Sequence, residues 1–252
     1  MTKTEQPLAG KVGFITGAAQ RIGAEIARTL HKNGMNLALH YRNSAETAQL
    51  LKQELETTRP NSVMLLQADL NDTNTLPKLI DDINAHYSRL DLLVNNASSF
   101  YPTPIGAAQI DQWEDLISTN MKAPFFLSQA AAPLLQAAKG CIINLVDIHA
   151  ERPLKNHSIY SIAKAGNAMM VKSLAQEFGP DIRVNGIAPG AILWPEQAIS
   201  QDENRDETLE KIILKRMGKP EEIAKTVLFL FKDADYITGQ VITADGGRTL
   251  QQ

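Results

Sequence analysis

Short apolar runs alternate with amphipathic stretches along almost the whole chain. The runs are Val12–Thr16, Met35–Tyr41, Val63–Asp69, Leu90–Asn95, Cys141–Val146, Ile182–Ile187 and Gln240–Thr243. Gly, Asn, Asp or Pro bound them, and most lack strict alternation of polar and apolar positions, as strands buried on both faces do. Between them lie Ile22–Lys32, Ala45–Thr57, Thr75–Tyr87, Gln109–Ala137, Ser158–Phe178 and Pro220–Phe231, where apolar residues recur with helical spacing. Strand–helix alternation of this kind predicts an α/β fold: a doubly wound parallel sheet with helices on both faces. One domain over residues 1–252 accounts for the pattern, with residues 1–7 as a loose tail. The polar stretch 191–210 breaks the rhythm, and an insertion near strand ends suits a lid over a ligand.

Composition narrows the function classes. The chain has 252 residues, 44% of them hydrophobic, and a net charge of -3. Neither nucleic acid nor a membrane surface is an expected partner at that charge. No apolar run approaches the ~20 residues of a membrane span, and the polar start does not read as a signal peptide, so a cytoplasmic location is expected. Cys141 is the single cysteine; its apolar surroundings read as a buried, inert thiol. The histidines show no metal-ligand spacing, and no metal is expected.

The candidate chemistry begins at Tyr160 and Lys164, four residues apart on a predicted helix and so on one face. A lysine ammonium beside a phenol favours the phenolate and would bring its pKa down from about 10, which makes Tyr160 a plausible proton donor. The first strand runs into Thr16-Gly17-Ala18-Ala19-Gln20-Arg21-Ile22-Gly23 and then a helix. Glycines at such a turn let backbone amides approach a pyrophosphate at a helix N-terminus. Arg21 stands where a middle glycine is expected, either as a surface cation or as a cation held over the phosphates. The second strand ends in His40-Tyr41-Arg42-Asn43-Ser44. An NAD site favours an acid here; a cation and a hydroxyl suit a 2′-phosphate instead, so NADPH is the expected cofactor. Asp69, beside Leu70, is placed to cap either an adenine amino group or the next helix. Asn95-Asn96-Ala97 is a polar turn suited to line a ribose.

Taken together, Thr16-Gly17…Gly23, Asn95-Asn96-Ala97, Asn120, Tyr160…Lys164, Pro189-Gly190 and Asp245-Gly246-Gly247 resemble the short-chain dehydrogenase/reductase family, over Lys11 to Gly247. The resemblance implies seven parallel strands, Tyr160 as proton donor, Lys164 as its partner on the nicotinamide ribose, and Asn120 supporting a relay water. It also implies that Pro189-Gly190 passes beside the nicotinamide and that the protein is a homotetramer. One position departs from the common pattern: Asp147 replaces the serine usual thirteen residues before the tyrosine. A carboxylate is a poor neighbour for a developing oxyanion and a good one for a ring nitrogen gaining a proton. Asp147, Arg21 and the segment Asn95-Asn96-Ala97-Ser98-Ser99-Phe100-Tyr101-Pro102-Thr103-Pro104 together resemble the pteridine reductase branch. That likeness implies a pterin stacked on Phe100 and bound by Ser98 and Arg21. Trp194 falls in the expected lid, where it either walls the pocket or anchors the loop. The implied reaction is NADPH-dependent reduction of a dihydropterin such as dihydrobiopterin or dihydromonapterin, with dihydrofolate and oxidised pterins as further substrates. The rival readings are a carbonyl or 3-oxoacyl reductase, expected to carry serine at 147, and an NADPH-sensing regulator.

Overall fold

The computed structural model describes residues 6–192 and 203–251, with side chains from 207 onward in the second stretch. Seven parallel strands form one sheet in the order β3-β2-β1-β4-β5-β6-β7. They are β1 Val12–Ile15, β2 Asn36–Tyr41, β3 Val63–Gln67, β4 Leu92–Asn95, β5 Cys141–Leu145, β6 Arg183–Pro189 and β7 Val241–Ala244. The helices are α1 Arg21–Lys32, α2 Ala45–Glu56, α3 Leu76–Tyr87, α4 Ile110–Ile117, α5 Ala123–Ala138, α6 Ser158–Phe178, α7 Glu203–Glu210 and α8 Pro220–Lys232. None of the described helices is long and apolar enough to cross a membrane.

The apolar runs are continuous because both faces of the sheet are covered. Within each run, neighbouring residues point to opposite faces. Ile15, Leu37, Leu39, Leu92, Val94 and Ile143 join the core beneath α1, α2 and α8. Phe14, Ala38, Leu93 and Ile142 join the opposite core beneath α3, α5 and α6. All ten are at most 1% exposed.

One expected helix is not continuous. Gln109–Ala137 is instead α4, a π-helical turn at Ser118–Lys122, and α5. A π-turn inserts one extra residue into a helix, and such bulges concentrate at functional sites; this one carries Asn120. Within the segment expected to be a lid, Glu203–Glu210 is helical, while residues 193–202, Trp194 among them, lie outside the described residues. The strand order reverses between β1 and β4, and the crevice at their carboxyl ends is where open α/β sheets bind ligands.

Candidate active site

A cavity of about 430 Å³ opens at that crevice. Gly17, Gln20, Arg21, Ile22 and Gly23 form one wall, His40, Arg42, Asn43 and Ser44 a second, and Asp69, Leu70, Asn96, Ala97, Ser98, Ser99 and Thr119 the rest. The loop between β1 and α1 is built for close approach. Gly17 takes φ +60°. A side chain at Gly23 would collide with the Gly17 carbonyl and come within 2.6 Å of Asn96 Nδ2. Asn96 Nδ2 donates to the carbonyls of Thr16 and Gly17, both at 2.9 Å. The Thr16 hydroxyl accepts from the backbone N–H groups of Asn96 and Ala97. Gly17 N donates to His40 Nδ1 at 3.2 Å, and His40 Nε2 lies 3.1 Å from the Ala68 carbonyl. Burial holds the His40 pKa below its usual value, so the ring is neutral and braces the loop with both nitrogens.

The N-terminus of α1 has no side-chain cap and no acid in its first turn, so its orphan N–H groups are available to an anion. The first residue, Arg21, adopts φ +54° and is exposed. The left-handed region costs a non-glycine residue roughly 1–2 kcal/mol, which explains why glycine is the expected occupant. At α2, Ser44 sits at the N-cap position without a side-chain capping bond. Beside it, Arg42 makes a long ion pair with Asp69, 3.9 Å, and no other among the described residues. Asp69 Oδ1 accepts from the backbone N–H of Asn71. These residues fit a dinucleotide: glycines where the chain must approach, two uncapped helix starts and two exposed cations.

Asp147, Tyr160 and Lys164 converge at the end of β5. Tyr160 and Lys164, on α6, are 4% and 2% exposed. The Tyr160 hydroxyl donates to Asp147 Oδ2 at 2.7 Å, while Asp147 Oδ1 accepts from His149 N at 2.8 Å. Lys164 Nζ donates to the Leu145 carbonyl at 2.8 Å and lies 5.6 Å from the centre of the Tyr160 ring. The expected lowering of the Tyr160 pKa is therefore corrected. Burial, then the Asp147 charge and hydrogen bond, push the phenol well above its usual value, opposed by the Ser98 hydroxyl. Burial brings Lys164 down to about 8, against the pull of Asp147. Tyr160 is thus a neutral phenol held by a carboxylate.

Phe100 is not a core residue: it is 50% exposed, edge-on to Tyr160 at 4.8 Å and stacked on His157 at 4.7 Å. Ser98 donates to Asn120 Oδ1 at 2.6 Å, and Asn120 Nδ2 donates to the carbonyls of Ser99 and Leu116. The Asn120 carbonyl accepts from Asn167 Nδ2 at 2.8 Å, and a buried amide chain continues through Asn144 to Asn95. Every buried amide in this chain is paired, so it rigidifies the π-turn.

Of the expected site residues, Tyr41, Phe100, Asn120, Asp147, Tyr160, Lys164, Pro189 and Gly190 do not line this cavity. Pro189 ends β6, and Gly190 N donates to the Ala244 carbonyl at 3.0 Å. Among the lining residues, sequence reasoning missed Gln20, Ser99 and Thr119, each adjacent in sequence to a residue it did place. His157, at the N-cap position of α6, stacks on Phe100 and was also missed.

Residues 17–249 match the protein family described as enoyl-(acyl carrier protein) reductase. Pteridine reductase 1 of Leishmania tarentolae is 34% identical over 95% of this chain and 96% of its own length. A 3-oxoacyl-(acyl-carrier-protein) reductase of Staphylococcus aureus is 35% identical over 94% of this chain and 97% of its own. The enzyme of the same name from Chlamydia trachomatis is 33% identical over 95% and 98%.

Proposed function

We propose, for a chain that belongs to the short-chain dehydrogenase/reductase family of oxidoreductases, that the reaction is the NADPH-dependent reduction of a pteridine. The observation that carries this reading is the 2.7 Å hydrogen bond from the Tyr160 hydroxyl to Asp147. A carbonyl reductase needs donors around a developing oxyanion, and an ionised Asp147 offers none. A pteridine presents ring nitrogens, one of which gains a proton as its C=N bond is reduced. Asp147 accepts from such N–H groups while it orients the Tyr160 hydroxyl. The half-exposed ring of Phe100 beside Tyr160 offers a flat heteroaromatic a stacking surface.

NADPH, when bound, supplies the hydride. Gly17, Gly23 and the start of α1 cradle its pyrophosphate, and Arg42 and Ser44 take its 2′-phosphate. Tyr160 delivers a proton to the nitrogen next to the reduced carbon, so the C=N unit gains one hydride and one proton. The Lys164 ammonium, one helical turn away, offsets charge on the phenol oxygen as the proton leaves. Ser98 and Asn120 hold the loop that carries Phe100. The exposed apolar side chains Phe125, Ile162 and Met169, on α5 and α6, support assembly as a homotetramer. Light scattering reads this directly, and a monomer at micromolar concentration refutes it.

A second reading, 3-oxoacyl reduction, is favoured by the comparable identity of the two relatives so named. Steady-state NADPH oxidation by the wild-type protein separates them. With dihydropterins, dihydrofolate and a 3-oxoacyl thioester as substrates, kcat/KM should favour a dihydropterin by at least about 10²-fold, as expected when a site's polar groups match one substrate and are left unpaired by the other. A thioester preference refutes the pteridine reading, and no NADPH oxidation with any substrate refutes both.

A further inference from the structure

The loop after β3 and the loop after β4 leave the sheet from strands separated by β2 and β1. The first, Asp69–Asn71, borders the nucleotide end of the cavity; the second, Ser98–Tyr101, carries Phe100 toward Tyr160. Among the described residues no main-chain hydrogen bond joins them. Side chains from α4 and the π-turn do. Asp115 Oδ1 accepts from Asn71 Nδ2 and Asp115 Oδ2 accepts from the Tyr101 hydroxyl, both at 3.0 Å. One turn later, Thr119 donates to Asn71 Oδ1 at 2.9 Å and accepts from the Ser99 hydroxyl at 3.3 Å. The Asn71 amide is therefore gripped at both ends from one helix face, and both grips continue into the second loop.

Asp115 has no cationic partner among the described residues. Its charge is spent on two neutral donors, one from each loop, and hydrogen bonds to an ionised acceptor are the strong class. Burial and Asp115 hold the Tyr101 phenol up at about 12, so it stays a donor at physiological pH. Its next acceptor, the Gln112 carbonyl, is farther away at 3.4 Å.

We infer that Asp115 is a positioning residue that splints the nucleotide-side loop to the substrate-side loop, so that dinucleotide binding at one end strengthens substrate binding at the other. The identity of the two ligands rests on the function proposed above; the linkage between loops does not. A ligand that orders Asp69–Asn71 thereby orders the loop bearing Phe100, and by linkage the reverse holds.

The test is isothermal titration of a dihydropterin into the wild-type protein with and without saturating NADP⁺, a pair that cannot react forward, repeated for Tyr101→Phe and Asp115→Asn. In the wild type, NADP⁺ should tighten dihydropterin binding by about 5-fold or more, the range of a typical coupling. Tyr101→Phe removes one hydroxyl from the splint. It should lower that factor by about 3-fold, the Thr119–Ser99 link and the direct contact between the two ligands remaining, raise the KM for substrate about 10-fold, keep kcat within about 3-fold and leave NADP⁺ affinity unchanged. Asp115→Asn should also weaken NADP⁺. A general loss of folding would move kcat, KM and melting temperature together, and that pattern overturns the inference. So does a wild type without coupling, or variants that retain it in full. If the wild type reduces an oxoacyl thioester and not a pterin, the pteridine reading has failed, and the same coupling is measured with that thioester.

Discussion

Arg21→Gly should make the unliganded protein more stable and its complex weaker, a pair of opposite signs that a simple surface role for Arg21 does not produce. Arg21 holds φ +54° at the first residue of α1. An L side chain pays roughly 1–2 kcal/mol there, and glycine avoids it. Glycine returns roughly 0.5–1 kcal/mol through the extra freedom of the unfolded chain. The side chain makes no ion pair among the described residues, so little else is lost. The net gain lies between about 0 and 1.5 kcal/mol, or up to about 6 °C in Tm for a chain of this size. Binding moves the other way. A charged hydrogen bond is worth about 1.5–3 kcal/mol, and exposure and salt reduce it, so loss of the guanidinium should weaken NADPH about 10-fold. Thermal unfolding with and without NADPH, with a fluorescence titration for the Kd, reads both terms. Arg21→Lys keeps the charge and the strain, and should retain most of the affinity. A less stable unliganded Arg21→Gly protein, or one binding NADPH like the wild type, refutes the reasoning.

Phe100→Ala should weaken pterin binding by about 1–3 kcal/mol, by analogy with base–aromatic stacking, and leave NADPH affinity alone; equal losses for both ligands would place Phe100 in a structural role. Arg42→Ala should raise the KM for NADPH and spare NADH, and a wild type using both dinucleotides equally at low salt contradicts the 2′-phosphate assignment. His31 is 3% exposed, lies 2.8 Å from the Ser62 hydroxyl, and is held down to about 4 by burial and by Arg59. Below pH 6.5 the unfolded state takes up a proton the folded state refuses, so stability falls progressively from pH 6.5 toward 4, by at most about 3 kcal/mol. His31→Asn should show a shallower acid loss in a thermal-unfolding series, and an identical slope contradicts the buried neutral histidine.

The sheet was legible because burial on both faces writes strands as continuous apolar runs, and all seven appear within a few residues of their expected ends. The Gln109–Ala137 stretch was read as one helix because a π-turn shifts the apolar period by only one residue, too little to see across Ser118–Lys122. The tight loop between β1 and α1 was legible from Gly17 and Gly23, whose lack of a side chain is dictated by backbone contact. The Tyr160 shift was misjudged for a spatial reason. Spacing along α6 revealed Lys164, but the nearest charged oxygen comes from Asp147 at the end of another element, and Lys164 points its ammonium at the Leu145 carbonyl. His40 bracing Gly17, and Asp115 joining Asn71 to Tyr101, were invisible for the same reason: their partners meet only when loops from different strands are brought together.

The most direct test of the pteridine reading is the turnover of Asp147→Asn on a dihydropterin between pH 5 and 8, with NADPH affinity measured in parallel. Asparagine keeps the size of the side chain and an oxygen acceptor for His149 N, so fold and NADPH binding should persist. If the carboxylate serves a ring nitrogen and orients the Tyr160 hydroxyl, kcat should fall by about 10²–10⁴-fold, the usual cost of losing an acid–base group. Wild-type turnover of dihydropterin by Asp147→Asn across that range would contradict the account.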